Sequence, residues 1–212
     1  MSNDNTQLNR MFDQALANTK VRVMPIRRRN GAYRTREYLT PAEMEQLIAA
    51  AAPGRDRTLI TVAYTHGLRL AEIVALRWDQ IDLAGQQIHI TRVKRGTPAI
   101  HPIPPGESRM LHALRRIRKS EFVFSSRQSD QLSRSAVQLI FRKAGENSTC
   151  TGTETAPVQV HAHMARHACG YRLANAGIDT RTIQAYLGHR SIQTTVKYTV
   201  LASDRFEGIW QE

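Results

Sequence analysis

Between residues 88 and 103 the sequence changes its period. Ile88-His89-Ile90-Thr91-Arg92-Val93 alternates and is rich in β-branched residues. Lys94-Arg95-Gly96 carries turn chemistry, and Ala99 to Pro104 is extended again. Alternation sends successive side chains to opposite faces, so this stretch predicts one hairpin. Elsewhere the apolar residues recur three and four apart, the period of a helix with one buried face. The expected fold is therefore mostly α-helical with a small antiparallel β-sheet, an α+β arrangement.

The helices announce themselves by their ends. Thr40-Pro41-Ala42-Glu43 is a capping box with Pro at the first helical position, and Met44, Leu47 and Ile48 follow at helical spacing. Further helices are expected over Arg57 to Tyr64, stopping at Gly67, and over Ala71 to Leu76. Others are expected over Ser108 to Arg118, Ser133 to Lys143, His163 to Ala176 and Thr180 to Tyr186. Leu187-Gly188 looks like a helix end, and Ser191 to Tyr198 a short last helix burying Ile192 and Val196. Gly145 to Pro157 is rich in Thr and Gly, which predicts a loop.

Residues 1 to 37 stand apart. The first twenty are polar, with room for one weak helix around Leu8 to Ala17. Lys20, Arg22, Arg27, Arg28, Arg29, Arg34 and Arg36 then follow with almost no acid among them, which predicts a flexible basic arm. Residues 38 to 212 make one domain. The net charge of +12 on 212 residues points to a polyanionic partner, most simply nucleic acid. No apolar run is long enough to span a bilayer, and the polar start MSNDNTQLNRM has no signal-peptide core, so a cytoplasmic home is expected. Cys150 and Cys169 have neither disulfide-framework nor zinc spacing.

Several polar residues sit oddly. Arg69 opens a helix, where a cation opposes the helix dipole unless an anion holds it. Glu72, three residues on, either pairs with it or turns its fork toward a phosphate. Lys94 sits at the hairpin tip, where a lysine either solubilises or enters a groove. In HAHMARHACG, His163 and Arg166 are three apart on one helical face. His163 and His167 are four apart, a spacing that zinc also uses, but Met164 stands where a metalloprotease needs Glu. His189 follows Gly188, and Tyr198 lies nine residues later, either packed or catalytic. Two guanidiniums on non-bridging phosphate oxygens can do the work of a metal, and a tyrosine can be the nucleophile of a covalent phosphoenzyme.

In that order and spacing, Arg69 in GLRLAE, Lys94 at the β-turn, His163-x-x-Arg166, His189 in LGH and Tyr198 resemble the tyrosine recombinase (phage integrase) family over residues 38 to 208. LANAGIDTRTIQAYLGHRSIQTTVKYT and DRFEGIW look most like the fimbrial phase-switch DNA invertases. The resemblance implies a tyrosine recombinase catalytic-domain fold and attack by Tyr198 on a phosphodiester, giving a 3′-phosphotyrosine and a free 5′-hydroxyl. Arg69 and Arg166 would grip the phosphate, and Lys94 would protonate the leaving oxygen. His163 would assist proton transfer, His189 would hydrogen-bond the phosphate, and Glu72 and His167 would support them. No cofactor or metal is implied. Arg27, Arg28, Arg29, Arg92 and Arg95 are expected DNA contacts.

The implied partners are double-stranded DNA with inverted repeat sites, three further copies of the chain in a tetramer, and DNA-bending accessory proteins. The alternatives are a catalytically idle DNA-binding regulator and a relaxing topoisomerase. Two departures are visible. Ala165 replaces the usual Leu of HxLRH, and only residues 1 to 37 stand where larger relatives carry a DNA-clamping domain. Leu201, Phe206, Ile209 and Trp210 make an apolar tail, expected to dock on a neighbouring subunit.

Overall fold

The computed structural model describes residues 38–92, 96–117, 120–126, 128–148 and 159–200. The basic arm, the hairpin tip with Lys94 and Arg95, and the tail from Leu201 lie outside the described residues.

The described chain runs α1 (Pro41–Ala50), α2 (Arg55–Thr65), α3 (Leu70–Ala75), a 3₁₀ turn (Trp78–Gln80), β1 (Ile81–Asp82), β2 (Gln87–Ile90) and β3 (Ala99–Pro102). It continues through α4 (Pro105–Arg116), α5 (Arg134–Asn147), α6 (Ala162–Asn175), α7 (Thr180–Leu187) and α8 (Gln193–Val200). Helices surround one apolar core, and the antiparallel sheet, in order β1-β2-β3, lies at its side. The fold class matches the expectation.

Local chemistry starts the helices. The Thr40 hydroxyl accepts from the Glu43 N–H, while the Glu43 carboxylate accepts from the Thr40 N–H at 2.7 Å, so the capping box closes as expected. Ser133 and Asp179 cap α5 and α7 with their side-chain oxygens alone, which accept from the N–H of Ala136 and from those of Arg181 and Thr182. Pro105 opens α4 three residues ahead of the expected Ser108, because proline suits a first turn. Helix α5 runs on to Asn147, into the expected loop. Ala144 packs in the core, and Gly145 lies so close to Val160 that a Cβ would stand 2.7 Å from its Cγ2. Gly145 is therefore a packing glycine within the helix and does not end it.

Two faces differ from expectation. In β2, Ile88 and Ile90 point inward as the alternation predicts. In β3 the pattern inverts: Ile100 is 59 % exposed and His101 is buried. His101 turns inward to meet His66, with their Nδ1 atoms 3.2 Å apart, and His66 Nε2 lies 2.7 Å from Glu107. Burial, with His66 and Arg92 close by, drops His101 to a pKa of about 3. In α8 the buried face is Thr195 and Tyr198, both at 0 %, whereas Val196 is 39 % exposed. Polar contacts set that face, as the site geometry makes clear. Strand β1, two residues long, is too short to show a period.

Candidate active site

Arg69 caps α3 and is tied to Glu72 twice. Its backbone N–H donates to Glu72 Oε2 at 2.9 Å, and Nη1 donates to Oε1 at 2.8 Å. The Arg69 side chain keeps 21 % exposure, and Nη2 donates to the Gly188 carbonyl at 3.3 Å. The two readings of Glu72 are thus compatible: the carboxylate pairs with Arg69 and thereby aims its fork.

Glu72 is shared. Arg92 Nη1 donates to its Oε2 at 2.9 Å, and Nη2 donates to the carbonyls of His66, at 3.3 Å, and of Tyr186. Burial alone raises the Glu72 pKa, but the Arg69 N–H and the Arg92 and Arg69 charges outweigh it and hold the carboxyl below its usual range. The Arg92 side chain, an expected DNA contact, has 0 % exposure and is turned onto Glu72 in this structure. Strand β2 ends at Ile90, so the alternation that places Ile88 and Ile90 says nothing about the direction of Arg92. Its long guanidinium instead ties α2, α3 and α7 together.

Arg166, on α6, is buried. It donates to the Gly67 carbonyl and, at 2.7 Å, to the Leu187 carbonyl. Burial, then the charges of Arg69 and Arg92, bring its pKa down to about 10, so it is a cation at neutral pH. Gly67 and Gly188 both have φ near +60°, which favours glycine. A Cβ on Gly188 would also stand 2.7–2.9 Å from Cγ, Cδ and Nε of Arg92. A side chain at Gly188 would therefore meet both backbone strain and a filled space.

That turn delivers His189, whose Nδ1 lies 2.8 Å from the Thr195 hydroxyl. Burial, then Arg166 and Arg69, lower its pKa to about 3, so the ring is neutral at physiological pH. Tyr198, one helical turn beyond Thr195, lies flat against Gly170 of α6, where a Cβ would stand 2.7–2.9 Å from three ring carbons. The His189 ring lies nearly parallel to it at 6.2 Å, and Tyr171 meets it edge-on at 5.0 Å. Its Oη is 2.8 Å from His167 Nδ1. Burial, then Lys197, His163, Arg166 and His161, lower the His167 pKa to about 3.

The structure brings Arg69, Glu72, Arg166, His167, His189 and Tyr198 together. His163 lies on the exposed side of α6, with its ring 6.4 Å from that of His167. Among the described residues no group of three or more His, Cys, Asp and Glu is placed to hold a metal ion. Nor is any described helix long and apolar enough to cross a membrane. The sequence reading missed Thr195, Gly170 and the His66–His101–Glu107 cluster. The sequence left no trace of the burial of His101, since alternation alone favours Ile100 as the inward residue.

The phage integrase family model matches residues 37–205. The chain is 40 % identical over 187 residues to the type 1 fimbriae regulatory protein FimE of Escherichia coli K12, covering 83 % of this chain and 91 % of that protein. It is 41 % identical over 185 residues to the type 1 fimbriae regulatory protein FimB of the same strain, covering 82 % and 90 %. Among solved structures it is similar to XerA recombinase, with a TM-score of 0.69, 25 % identity, and coverage of 79 % of this chain and 61 % of that one. This chain thus spans about three-fifths of that recombinase. The chain belongs to the phage integrase family.

Proposed function

We propose that this chain is a site-specific DNA recombinase that cuts and rejoins DNA through a 3′-phosphotyrosine on Tyr198, inverting a promoter-bearing segment that controls fimbriae. One observation carries the reading. Arg69 and Arg166 donate to the adjacent carbonyls of Gly188 and Leu187, in the same turn that presents His189, with Tyr198 packed beside it. Two cations on one turn are preorganised to trade those carbonyls for the two non-bridging oxygens of a phosphodiester. With Nδ1 accepting from Thr195, the neutral His189 ring carries its proton on Nε2 and offers it to the phosphate. His163 adds a donor on the open side. Lys94 protonates the 5′-oxygen as it leaves. The bond energy stays in the ester, so rejoining needs no nucleotide and no metal.

DNA with inverted repeats, four copies of this chain and DNA-bending helpers complete the assembly, in the cytoplasm on the nucleoid. Similarity to the type 1 fimbriae regulatory proteins supports the inversion. The test is to incubate the protein with a plasmid library of its host genome and sequence the new junctions. Inverted segments flanked by a shared repeat are expected. Relaxation without exchange would make it a topoisomerase, and binding alone a regulator. Tyr198→Phe removes only the hydroxyl and should abolish the SDS-stable protein–DNA adduct while leaving DNA affinity nearly unchanged. An adduct that persists would sink the assignment.

A further inference from the structure

We infer that the solvent face of α4 is a second DNA-binding surface, one that holds the phosphates of a further duplex segment without regard to sequence. This rests on the recombinase reading only in taking DNA as the polyanion, and not on the phosphotyrosine chemistry.

The exposed residues of α4 are Pro105, Arg109, His112, Ala113, Arg115 and Arg116, which include three arginines and no acid. The one acid of the helix, Glu107, turns inward onto His66. Arg109, His112 and Arg116 stand three and four apart, so they share one stripe. At 1.5 Å per residue, Arg109 and Arg116 are about 10 Å apart along the axis. That is about three base-pair steps of a duplex. The sequence carries the charge further, since Arg115-Arg116-Ile117-Arg118-Lys119 has four cations in five residues.

These charges go unanswered. On other surfaces Arg55, Arg77 and Arg142 each have a carboxylate within 3.6 Å. Among the described residues Arg109, Arg115 and Arg116 have none. Arg115 lies over the Trp78 ring at 5.9 Å, and the two acids beside that ring, Asp79 and Glu121, both pair with Arg77. The helix dipole accounts for Arg115 and Arg116 in the last turn, but not for Arg109 in the second. A bound polyanion relieves the repulsion among them. A row of guanidinium forks suits phosphate oxygens.

The stripe stands apart from the catalytic groups. Helix α4 packs on α2, and α2 packs on α6, which carries Arg166 and His167. Arg69 opens α3 at the catalytic end, whereas Trp78, under Arg115, lies past the other end of that helix. A duplex seated on the stripe is therefore a different segment from the one at Tyr198.

The test uses the full chain and two duplexes of random sequence. One is immobilised, saturated with protein and washed, and the other, fluorescent, is then added. The wild type should retain the fluorescent duplex. The triple variant Arg109→Gln, Arg115→Gln, Arg116→Gln should load the immobilised duplex normally but retain about tenfold less of the second. The slope of log second capture against log salt should fall by about 2.7, at about 0.9 per phosphate contact. Changing the same three residues to Lys should preserve capture, which a purely structural role of the arginines would not. If the triple Gln variant melts early, Arg109→Gln with Arg116→Gln leaves Arg115 on Trp78 and should lower the slope by about 1.8.

Undiminished second capture in the Gln variants overturns the assignment. So does an equal loss of loading on the immobilised duplex, because the face then belongs to the primary DNA path. Poly-glutamate that displaces the fluorescent duplex better than unlabelled duplex does would make the occupant an acidic protein, which also overturns it. A wild type that never loads the first duplex refutes the DNA reading itself, whereas loading without second capture refutes only the α4 surface.

Discussion

Glu72 is one carboxylate answering two arginines, and most of the site hangs from it. Its Oε1 and Oε2 hold Arg69 and Arg92, which in turn grip the carbonyls of Gly188, His66 and Tyr186. Glu72→Gln keeps the shape but leaves the buried Arg92 charge uncompensated. A loss of about 3–5 kcal/mol of stability is expected, checked by urea denaturation at pH 7. The pH dependence follows from the lowered Glu72 pKa. A carboxyl held lower in the folded than in the unfolded chain stabilises at pH above its ordinary value of about 4.3, and that stability fades as pH falls through the folded value. Melting temperature should therefore fall less steeply below about pH 4.3 in Glu72→Gln than in the wild type. The Arg69–Glu72 pair was legible from the sequence because both lie in one helical turn. The third partner was not, because Arg92 comes twenty residues later and past the end of its strand, where no period remains to say which way it points.

At the scale of elements, starts were easier to foresee than ends and faces. Capping residues act on N–H groups two or three positions away, so Thr40, Ser133 and Asp179 could be recognised locally. The end of α5 depends on Val160, fifteen residues past Gly145, and so was misjudged. The buried face of α8 was misjudged for a similar reason. Apolar spacing favoured Ile192 and Val196, but Thr195 reaches His189 and Tyr198 fills the Gly170 notch. The α7–α8 turn is correspondingly intolerant. Gly188→Ala adds a left-handed strain of about 1–2 kcal/mol and a clash with Arg92, so His189 must shift. Adduct formation should fall well below wild type while DNA binding changes much less, as gel shift and SDS-stable adduct assays on one sample would reveal. Gly170→Ala is the sharper probe. Alanine favours a helix interior by about 0.5–1 kcal/mol, yet here it evicts the tyrosine ring, so the melting temperature should fall despite the better helix former.

For the whole molecule, charge is the organising quantity. Eight of the thirty Lys and Arg residues precede residue 38, in a segment with two acids, Asp4 and Asp13, before Glu37. If that arm lies along DNA, each phosphate it neutralises contributes about 0.9 to the slope of log affinity against log salt. Removing residues 1–37 should weaken binding and flatten that slope, and an unchanged slope would show that the arm makes no phosphate contact. Family membership and the order of the site residues could be recognised from the sequence. The burial of Tyr198 could not, because it depends on α8 lying against α6 at a glycine. That burial has a chemical consequence. A phenol with no exposed surface is out of reach of acylating, nitrating and phosphorylating agents alike. If Tyr198 attacks a phosphodiester as proposed, helix α8 has to move before its hydroxyl meets the phosphorus atom. On the proposed reading, the Tyr198 hydroxyl is thereby shielded from stray electrophiles until a duplex is in place to receive it.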